Sequence, residues 1–263
     1  MDYSFWKKQT VEQPLFPDIE WSKPEQRAHA GHLAIIGGNK LGFAGVAEAY
    51  GIAKKTGVGE AKVLLPDALR TTIPKTITDT LFAATNPSGS LSKDALADMK
   101  MLGSWAQSVL LIGDAGRSSE TAIAYEQFIA GYHGQLVVTR DAIDLVKNSA
   151  VLLVERPDTV LVASFAQLQK LFQSVYYPKV LTFSMQLANL VEALHKFTIT
   201  YPVTVVTLHK DMLLISSDGE VITTPWNNPM AIWRGSVAAA AACYWLWNPQ
   251  KPAAAIATAV TNN

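Results

Sequence analysis

The chain has 263 residues, and its hydrophobic fraction of 49% can fill the core of one large α/β domain or two small ones. Its 22 lysine and arginine residues balance 22 aspartate and glutamate residues, which excludes an overall field that attracts nucleic acid or an anionic membrane. The single cysteine excludes an intrachain disulfide, and no apolar run approaches the roughly 20 residues of a transmembrane helix. Since the first residues also lack an apolar signal core, we expect a cytoplasmic protein that binds neither nucleic acid nor membrane.

Short β-rich segments alternate with helical patterns along the chain, which is typical of βα units and a largely parallel sheet. Several of the predicted strands are continuous apolar runs, as expected for strands that are covered on both faces. The predicted strands are residues 32–37, 61–66, 108–113, 135–139, 159–163 and 203–208, and the predicted helices are 44–56, 91–106, 119–131, 164–175 and 184–197.

The pattern changes near the end of the chain. Residues 212–224 predict a hairpin with Asp218-Gly219 in its turn, and an apolar helix over about 230–247 follows. That helix contains Cys243, for which a buried, unreactive thiol is expected, and a last helix is predicted over 252–260. Residues 1–30 predict an N-terminal arm that packs on the body or on a neighbouring subunit, and residues 31–263 predict one domain.

The most informative segment is the glycine-rich loop behind the first predicted strand. Gly37 and Gly38 end the strand, Gly42 and Gly45 lie in the loop, and a helix begins directly after it. Glycines permit left-handed turns and the close approach of a ligand to backbone N–H groups, and the positive end of the helix dipole favours an anion. From the residues alone, a plain βα turn and an anion site are equally well supported.

This segment resembles the opening of the ADP/ATP-dependent NAD(P)H-hydrate dehydratases, a family of the ribokinase-like superfamily. The family begins with three short motifs, Gly-Gly-Ser, Tyr-x-Gly-Ala and Gly-Ala-Gly. They correspond in this chain to residues 37–39, 43–46 and 57–59. The resemblance implies a ribokinase-like three-layer α/β/α sandwich with a mostly parallel central sheet and a C-terminal hairpin plus helices. It also implies that the loop helps to hold a hydrated dinucleotide, through Gly37, Gly38, Asn39, Phe43 and Gly45.

Two further family steps are only partly retained. Gly-Pro-Gly-Leu-Gly corresponds to residues 112–118, one residue shorter, with Gly113 and Gly116 as its remnants. Asp-Ala-Asp-Ala-Leu corresponds to VVTRDAID, in which Asp141-Ala142 remains. Asp141 is interpreted equally well as a helix N-cap and as a ligand-binding residue.

The next two steps have lost their ionisable groups or changed them. His-Pro-Gly-Glu corresponds to residues 164–167, which begin with Ser164, or in a rival placement to residues 181–191, and neither segment holds a histidine or a glutamate. Leu-Lys-Gly, whose lysine lies near the nucleotide phosphates in the family, corresponds to a strand end with His209 at the lysine position and Lys210 beside it. Both are candidates for a phosphate contact, although a histidine at a strand end is more often structural.

The decisive family motif is Gly-Thr-Gly-Asp at a helix start, where glycine N–H groups stabilise the transferring phosphate and the aspartate removes a proton from the substrate hydroxyl. The frame that begins at Asn228 puts Arg234, Gly235 and Ser236 at Thr, Gly and Asp. A serine without a nearby His–Asp pair cannot replace this base, whose contribution is typically about 10²–10⁴-fold. Arg234 is suited to a static phosphate contact, which favours binding over turnover.

Three functions stay open from the sequence. The first is a divergent NAD(P)H-hydrate dehydratase, in which a nucleoside di- or triphosphate phosphorylates the hydrated nicotinamide ring before phosphate leaves. The second, which the residue chemistry favours, is a catalytically silent homologue that binds a nucleotide or dinucleotide or serves as a partner subunit. The third is a small-molecule kinase of the same superfamily, which needs the same missing aspartate. The resemblance implies ADP or ATP and NAD(P)H hydrate as ligands, Mg²⁺ as a further candidate, and a homo-oligomer, either a dimer or a tetramer.

Overall fold

A computed structural model describes residues 3–262; residues 1, 2 and 263, at the ends of the predicted arm and domain, lie outside the described part. Its strands are β1 (Trp6–Lys8), β2 (His32–Gly37), β3 (Glu60–Pro66), β4 (Thr80–Ala83), β5 (Ser108–Gly113), β6 (Gln135–Thr139), β7 (Thr159–Ala163), β8 (Val203–His209), β9 (Met212–Ser217) and β10 (Glu220–Pro225). Its α-helices are α1 (Ala44–Thr56), α2 (Leu96–Trp105), α3 (Ser119–Gly131), α4 (Asp141–Leu145), α5 (Ala150–Val154), α6 (Phe165–Ser174), α7 (Leu187–Thr200), α8 (Pro229–Arg234), α9 (Ser236–Trp247) and α10 (Pro252–Thr261).

These strands form one sheet in the order β1-β10-β9-β8-β7-β6-β5-β2-β3-β4. From β8 to β4 across the sheet every neighbouring pair is parallel, whereas β9 pairs antiparallel with both β8 and β10. The predicted parallel body and the predicted C-terminal hairpin are therefore both confirmed. The chain order reverses beside β5, where β2 lies next to it, and such switch points are where ligands bind in open α/β sheets.

Two hydrophobic cores cover the two faces of the sheet. Alternate side chains of β2 show the division, since Ala34 and Ile36 enter one core and Leu33 and Ile35 enter the other. The first core packs against α2, α3, α6 and α7, and the second packs against α1, α8, α9 and α10. This arrangement is the predicted three-layer α/β/α sandwich.

The predicted helix over 230–247 is in fact two helices. Gly235 has a φ of +91°, a left-handed conformation that ends α8, and a Cβ at this position would lie 2.5 Å from Ile112 Cδ1. Because the chain turns here, α9 begins with its own N–H groups at Ser236, close to the carboxyl end of β5. The predicted long helix is therefore wrong in continuity, although its ends are nearly correct.

The described part of the N-terminal arm packs on the same body. Its strand β1 adds in parallel to β10 at the edge of the sheet. The buried Gln9 donates hydrogen bonds from Nε2 to Thr224 Oγ1 and to the carbonyl oxygen of Ala257, both at 3.0 Å. These bonds connect the arm to both β10 and α10.

Candidate functional site

The glycine loops predicted from the sequence lie together at the carboxyl ends of β2 and β5. Gly37 and Gly113 are neighbours in these strands, and a Cβ on Gly37 would overlap the carbonyl oxygen of Gly113. The same carbonyl accepts a hydrogen bond of 2.9 Å from the N–H of Gly38, whose φ is +87°. These glycines are needed because two backbones approach each other closely here.

The first loop is bonded to a neighbouring loop over residues 86–91. Asn39 is buried, and its Nδ2 donates to Ser90 Oγ at 2.6 Å and to the Ser88 carbonyl oxygen at 3.2 Å. Its Oδ1 accepts the N–H of Leu41 at 2.9 Å. A Cβ on Gly116, whose φ is +74°, would lie 2.8 Å from Ser90 Oγ. Both polar atoms of the Asn39 side chain therefore form hydrogen bonds within the protein.

The second loop forms a concave set of N–H groups of the kind that binds anions. The N–H groups of Asp114, Ala115 and Gly116 donate to the carboxylate of Asp141 at 2.7, 2.9 and 3.1 Å. Burial, together with the charge of Asp114, raises the pKa of Asp141, while the N–H groups of Asp114 and Ala115 and the charge of Arg140 oppose that rise. Asp141 is the first residue of α4 rather than its N-cap, so its carboxylate serves the loop as an internal anion.

An ion pair lies beside this loop, between the starts of α1 and α9. Arg140 Nη2 pairs with Asp114 Oδ1, and the other oxygen of Asp114 accepts the N–H of Gly45 at 2.6 Å. A Cβ on Gly45 would overlap Arg140 Nη1, and one on Gly235 would lie 3.4 Å from Arg140 Cδ. We call Gly45, Asp114, Arg140, Asp141 and Gly235 the Arg140 junction. The Nη1 atom of Arg140 is buried and has no hydrogen-bond partner among the described residues.

A capping box on α6 holds the backbone of Arg140. Ser164 Oγ accepts the N–H of Gln167 at 3.3 Å, and Gln167 Oε1 accepts the N–H of Ser164 at 3.1 Å. Gln167 Nε2 then donates to the carbonyl oxygen of Arg140 and to Asp144 Oδ2, both at 2.7 Å. Arg140 has a φ of +57°, which a residue with a side chain adopts only when its surroundings hold it. The Ser-x-x-Gln spacing is a sequence signal that predicts this box.

Ser236, which the sequence resemblance aligns with the family aspartate, begins α9. Its Oγ donates to Glu48 Oε1 at 2.8 Å, and the carbonyl oxygen of Ala231 lies 3.3 Å away. Glu48 belongs to α1 and is partly buried. A carboxylate from a distant part of the chain therefore lies beside a serine that has no acidic neighbour in its own segment.

A cavity of about 750 Å³ opens next to the Arg140 junction, at the carboxyl ends of β6, β7 and β8 and beneath α8. We call it the β6–β8 cavity. Its charged lining residues include Lys170 and Lys210, both exposed, and Asp144. Its apolar side chains are those of Val162, Phe165, Phe183, Leu208, Ile232 and Trp233.

His209 lines this cavity but is held by the protein. It is only 3% exposed, its Nε2 is 3.1 Å from the carbonyl oxygen of Met185, and its ring centroid is 4.9 Å from that of Phe165. Lys210, in contrast, is exposed at the β8–β9 turn with a φ of +56°. Of the two candidates, Lys210 has the free cationic group.

The remaining predicted residues lie around these two places. Phe43 is the N-cap residue of α1 and packs partly against the second core. Asn228 is exposed before α8, and its carbonyl oxygen accepts Trp226 Nε1 at 2.6 Å. Arg234 is exposed at the end of α8 and is outside the set of residues that line the cavity. The sequence interpretation did not include Glu48, Asp114 or Arg140.

Within residues 3–262, no group of three or more histidine, cysteine, aspartate or glutamate side chains is placed to hold a metal ion. In the same part of the chain, every helix is too short or too polar to cross a membrane.

The sequence matches no protein-family model and no curated protein. Solved structures match it across nearly its whole length. A ribokinase-like superfamily protein from Enterococcus faecalis V583 aligns with a TM-score of 0.75 at 14% identity, over 99% of this chain and 87% of that one. An ADP/ATP-dependent NAD(P)H-hydrate dehydratase from Bacillus subtilis, co-crystallised with ATP/Mg²⁺ and soaked with CoA, aligns with a TM-score of 0.61 at 13% identity, over 94% and 86%.

A phosphomethylpyrimidine kinase from Clostridium difficile 630 also matches, with a TM-score of 0.54 at 11% identity, over 88% of this chain and all of that chain. At these identities the likeness concerns the fold. The predicted ribokinase-like α/β fold with a mostly parallel sheet is therefore confirmed. Proteins with different printed activities share this fold, so function has to be argued from the residues of the site.

Proposed function

We propose that this protein binds a nucleotide in the β6–β8 cavity and is a divergent relative of the NAD(P)H-hydrate dehydratases with strongly reduced catalysis. The observation that carries the proposal is the composition of this cavity. Its volume of about 750 Å³ falls within the range of small-molecule sites, and its lining combines apolar and aromatic side chains with cationic groups. Such a combination suits a ligand that carries both a flat apolar ring and phosphates.

The apolar and aromatic side chains support the binding of a base. Trp233 is 65% exposed and Phe183 is 63% exposed, although both line a concave site. Exposed aromatic rings at a cavity commonly mark a ligand surface, and stacking of a base on such a ring is worth about 1–3 kcal/mol. A base stacked on either ring would cover part of its exposed surface.

The cationic groups support the binding of phosphates. Lys210 has no ion pair among the described residues, whereas Lys170 is 3.5 Å from Asp144 Oδ1. Arg140 also lines the cavity and adds positive charge there, although its Nη1 packs against Gly45 and is closed to solvent.

Asp144 is the carboxylate that suits a bound Mg²⁺. It lines the cavity, and its side chain is 41% exposed. Protein sites for Mg²⁺ with nucleotides commonly use one or two carboxylates and complete the shell with phosphate oxygens and water. When bound, this ion would neutralise phosphate charge, while Lys210 and Arg140 would orient the phosphates.

Ser236 leads us to propose reduced catalysis. A serine hydroxyl alone does not accept the proton of a substrate hydroxyl near neutral pH. Turnover therefore depends on whether a neighbouring group accepts that proton. The cytoplasmic location and the dimeric or tetrameric state expected from the resemblance stay part of this proposal.

Isothermal titration calorimetry with ATP·Mg²⁺, ADP and NADPH tests the proposal. We expect Trp233→Ala to weaken ATP binding by about 5- to 150-fold, as the stacking energy predicts. Lys210→Ala should weaken it by about 3- to 10-fold, because water screens an exposed charge.

The matched controls are Trp21→Ala, in the arm, and Lys100→Ala, on α2, which replace exposed residues outside the cavity lining. Both should bind ATP as the unmodified protein does. Absence of binding by all three nucleotides at millimolar concentration, or equal affinities of the cavity and control variants, would rule the proposal out.

A further inference from the structure

The contact between Ser236 and Glu48 has a geometry that the sequence does not reveal. The hydroxyl of Ser236 is 2.8 Å from Glu48 Oε1, a normal distance for an O–H group that donates to a carboxylate. The two residues are 188 positions apart in the chain. From Val221 to the C-terminus the sequence has no acidic residue, so a carboxylate at the start of α9 has to come from an earlier part of the chain.

Helix packing explains why Glu48 reaches this point. Helices α1 and α9 lie side by side in the second core, and the buried alanines of α9, from Ala238 to Ala242, leave room for a close neighbour. Gly45 and Glu48 are three residues apart and therefore share one face of α1. Gly45 contacts the guanidinium of Arg140, so Glu48 extends from the same side of the helix toward the Arg140 junction.

The carboxylate of Glu48 is available as a proton acceptor. Among residues 3–262 it forms no ion pair within 4.0 Å, whereas the nearby Asp114 is paired with Arg140. Since the hydroxyl of Ser236 donates to Glu48, its oxygen lone pairs remain free to accept a hydrogen bond from a ligand hydroxyl. A Ser–Glu pair of this kind can move a proton from a substrate to the carboxylate.

We propose that Glu48, acting through Ser236, is the proton acceptor for phosphoryl transfer from a nucleoside triphosphate to a hydroxyl-bearing substrate. This inference rests on the nucleotide site proposed above. The substrate hydroxyl oxygen forms a bond to the terminal phosphorus, and its proton passes to Ser236 Oγ. The proton of Ser236 passes at the same time to Glu48. The bond between the terminal phosphorus and the bridging oxygen breaks, and its electron pair leaves with the nucleoside diphosphate.

The test compares Glu48→Gln with the double variant Glu48→Gln/Ser236→Asp. Glutamine keeps an oxygen that accepts the bond from Ser236, so the fold and ATP affinity should be retained, but its amide does not accept a proton. With ATP·Mg²⁺ as donor and hydrated NADH as acceptor, we expect kcat for phosphate release to fall about 100-fold or more while KM changes little. In the double variant, the introduced carboxylate would be a base at the start of α9, and we expect at least a tenfold recovery in kcat.

The matched control is Glu25→Gln, which neutralises an exposed glutamate in the N-terminal arm. It should keep the kcat of the unmodified protein. Melting temperatures of all variants identify any loss of fold, and calorimetry with ATP·Mg²⁺ tests the nucleotide site separately.

The outcomes distinguish the two proposals. If ATP does not bind, the proposed function fails. If ATP binds but Glu48→Gln keeps an unchanged kcat, or if the unmodified protein releases no phosphate with either hydrated NADH or water as acceptor, the role of Glu48 is wrong. A fall in kcat that the double variant does not reverse indicates a purely structural contact and also overturns the inference.

Discussion

The Arg140 junction and the β6–β8 cavity lie side by side at the carboxyl ends of the parallel strands, and they differ in the groups that occupy their binding surfaces. In the junction, the anion-binding N–H groups already donate to carboxylates of the protein. The N–H groups of the loop after β5 donate to Asp141, and the N–H of Gly45 donates to Asp114. In the cavity, aromatic rings and Lys210 are exposed. A glycine-rich loop therefore indicates that backbone N–H groups converge, but it does not identify the anion that they bind.

The difference has an energetic cause. A carboxylate that is held by the fold has a high effective concentration at its partner groups, so an external phosphate would have to displace it. Removal of Asp141 would also leave three N–H groups without an acceptor. An external anion is consequently disfavoured at these N–H groups, and the ligand site that we propose is the cavity.

The largest expected effect comes from Gly37→Ala, at the close approach of β2 and β5 beside the junction. The new methyl group would overlap the carbonyl oxygen of Gly113, so neighbouring strands must separate, and we expect a loss of about 3 kcal/mol in the free energy of unfolding. Urea denaturation measures this loss. The matched control is Gly51→Ala in α1, where a Cβ meets no atom within 4 Å and a gain of about 0.5–1 kcal/mol is expected. Equal effects of the two substitutions would contradict the close approach of β2 and β5.

A smaller loss is expected for Asp141→Asn. Its amide NH₂ group would face backbone N–H donors that now bind a carboxylate oxygen, and we expect a loss of about 1–3 kcal/mol in the free energy of unfolding. Chemical denaturation of this variant and of Asp98→Asn, which changes a partly exposed carboxylate on α2, makes the comparison. A stability equal to that of the unmodified protein would show that the β5 loop does not depend on an internal anion.

The smallest effect is expected at Cys243, which reports on α9. Burial raises the pKa of this thiol to about 12, so almost no thiolate is present at pH 8. We expect a thiol-specific reagent to label the folded protein negligibly over hours and the urea-unfolded protein within minutes. Rapid labelling without denaturant would show that α9, which carries Ser236, opens readily, and the junction could then not be the more rigid of the two regions.

The fold was predictable to a large extent because its signals are local. The continuous apolar strands and the Asp218-Gly219 hairpin give periodicities and turn residues that identify the elements directly. The short edge strands β1 and β4 and the short helices α4 and α5 were not predicted, because three to five residues carry too little pattern. The resemblance assigned Gly235 to a motif, but the sequence around this glycine does not show that its φ is positive.

The candidate site was predictable only in part. The resemblance selected Gly37, Gly113 and Lys210, and the structure places them at the same edge of the sheet. It could not select Glu48, which lies outside the matched motifs, or Arg140, which precedes the retained Asp141-Ala142 and is not one of the residues shared with the family. Their roles depend on neighbours that come from other elements.

The sequence by itself determined the order of strands and helices, the parallel body with its C-terminal hairpin, and the places where backbone N–H groups converge. Only the tertiary structure decided which anion meets those groups and which acid lies beside Ser236. The physical reason is the range of the interactions. Hydrophobic periodicity and turn chemistry act over a few residues, whereas the pairing of Glu48 with Ser236 exists only after α1 and α9 have packed on the same face of the sheet.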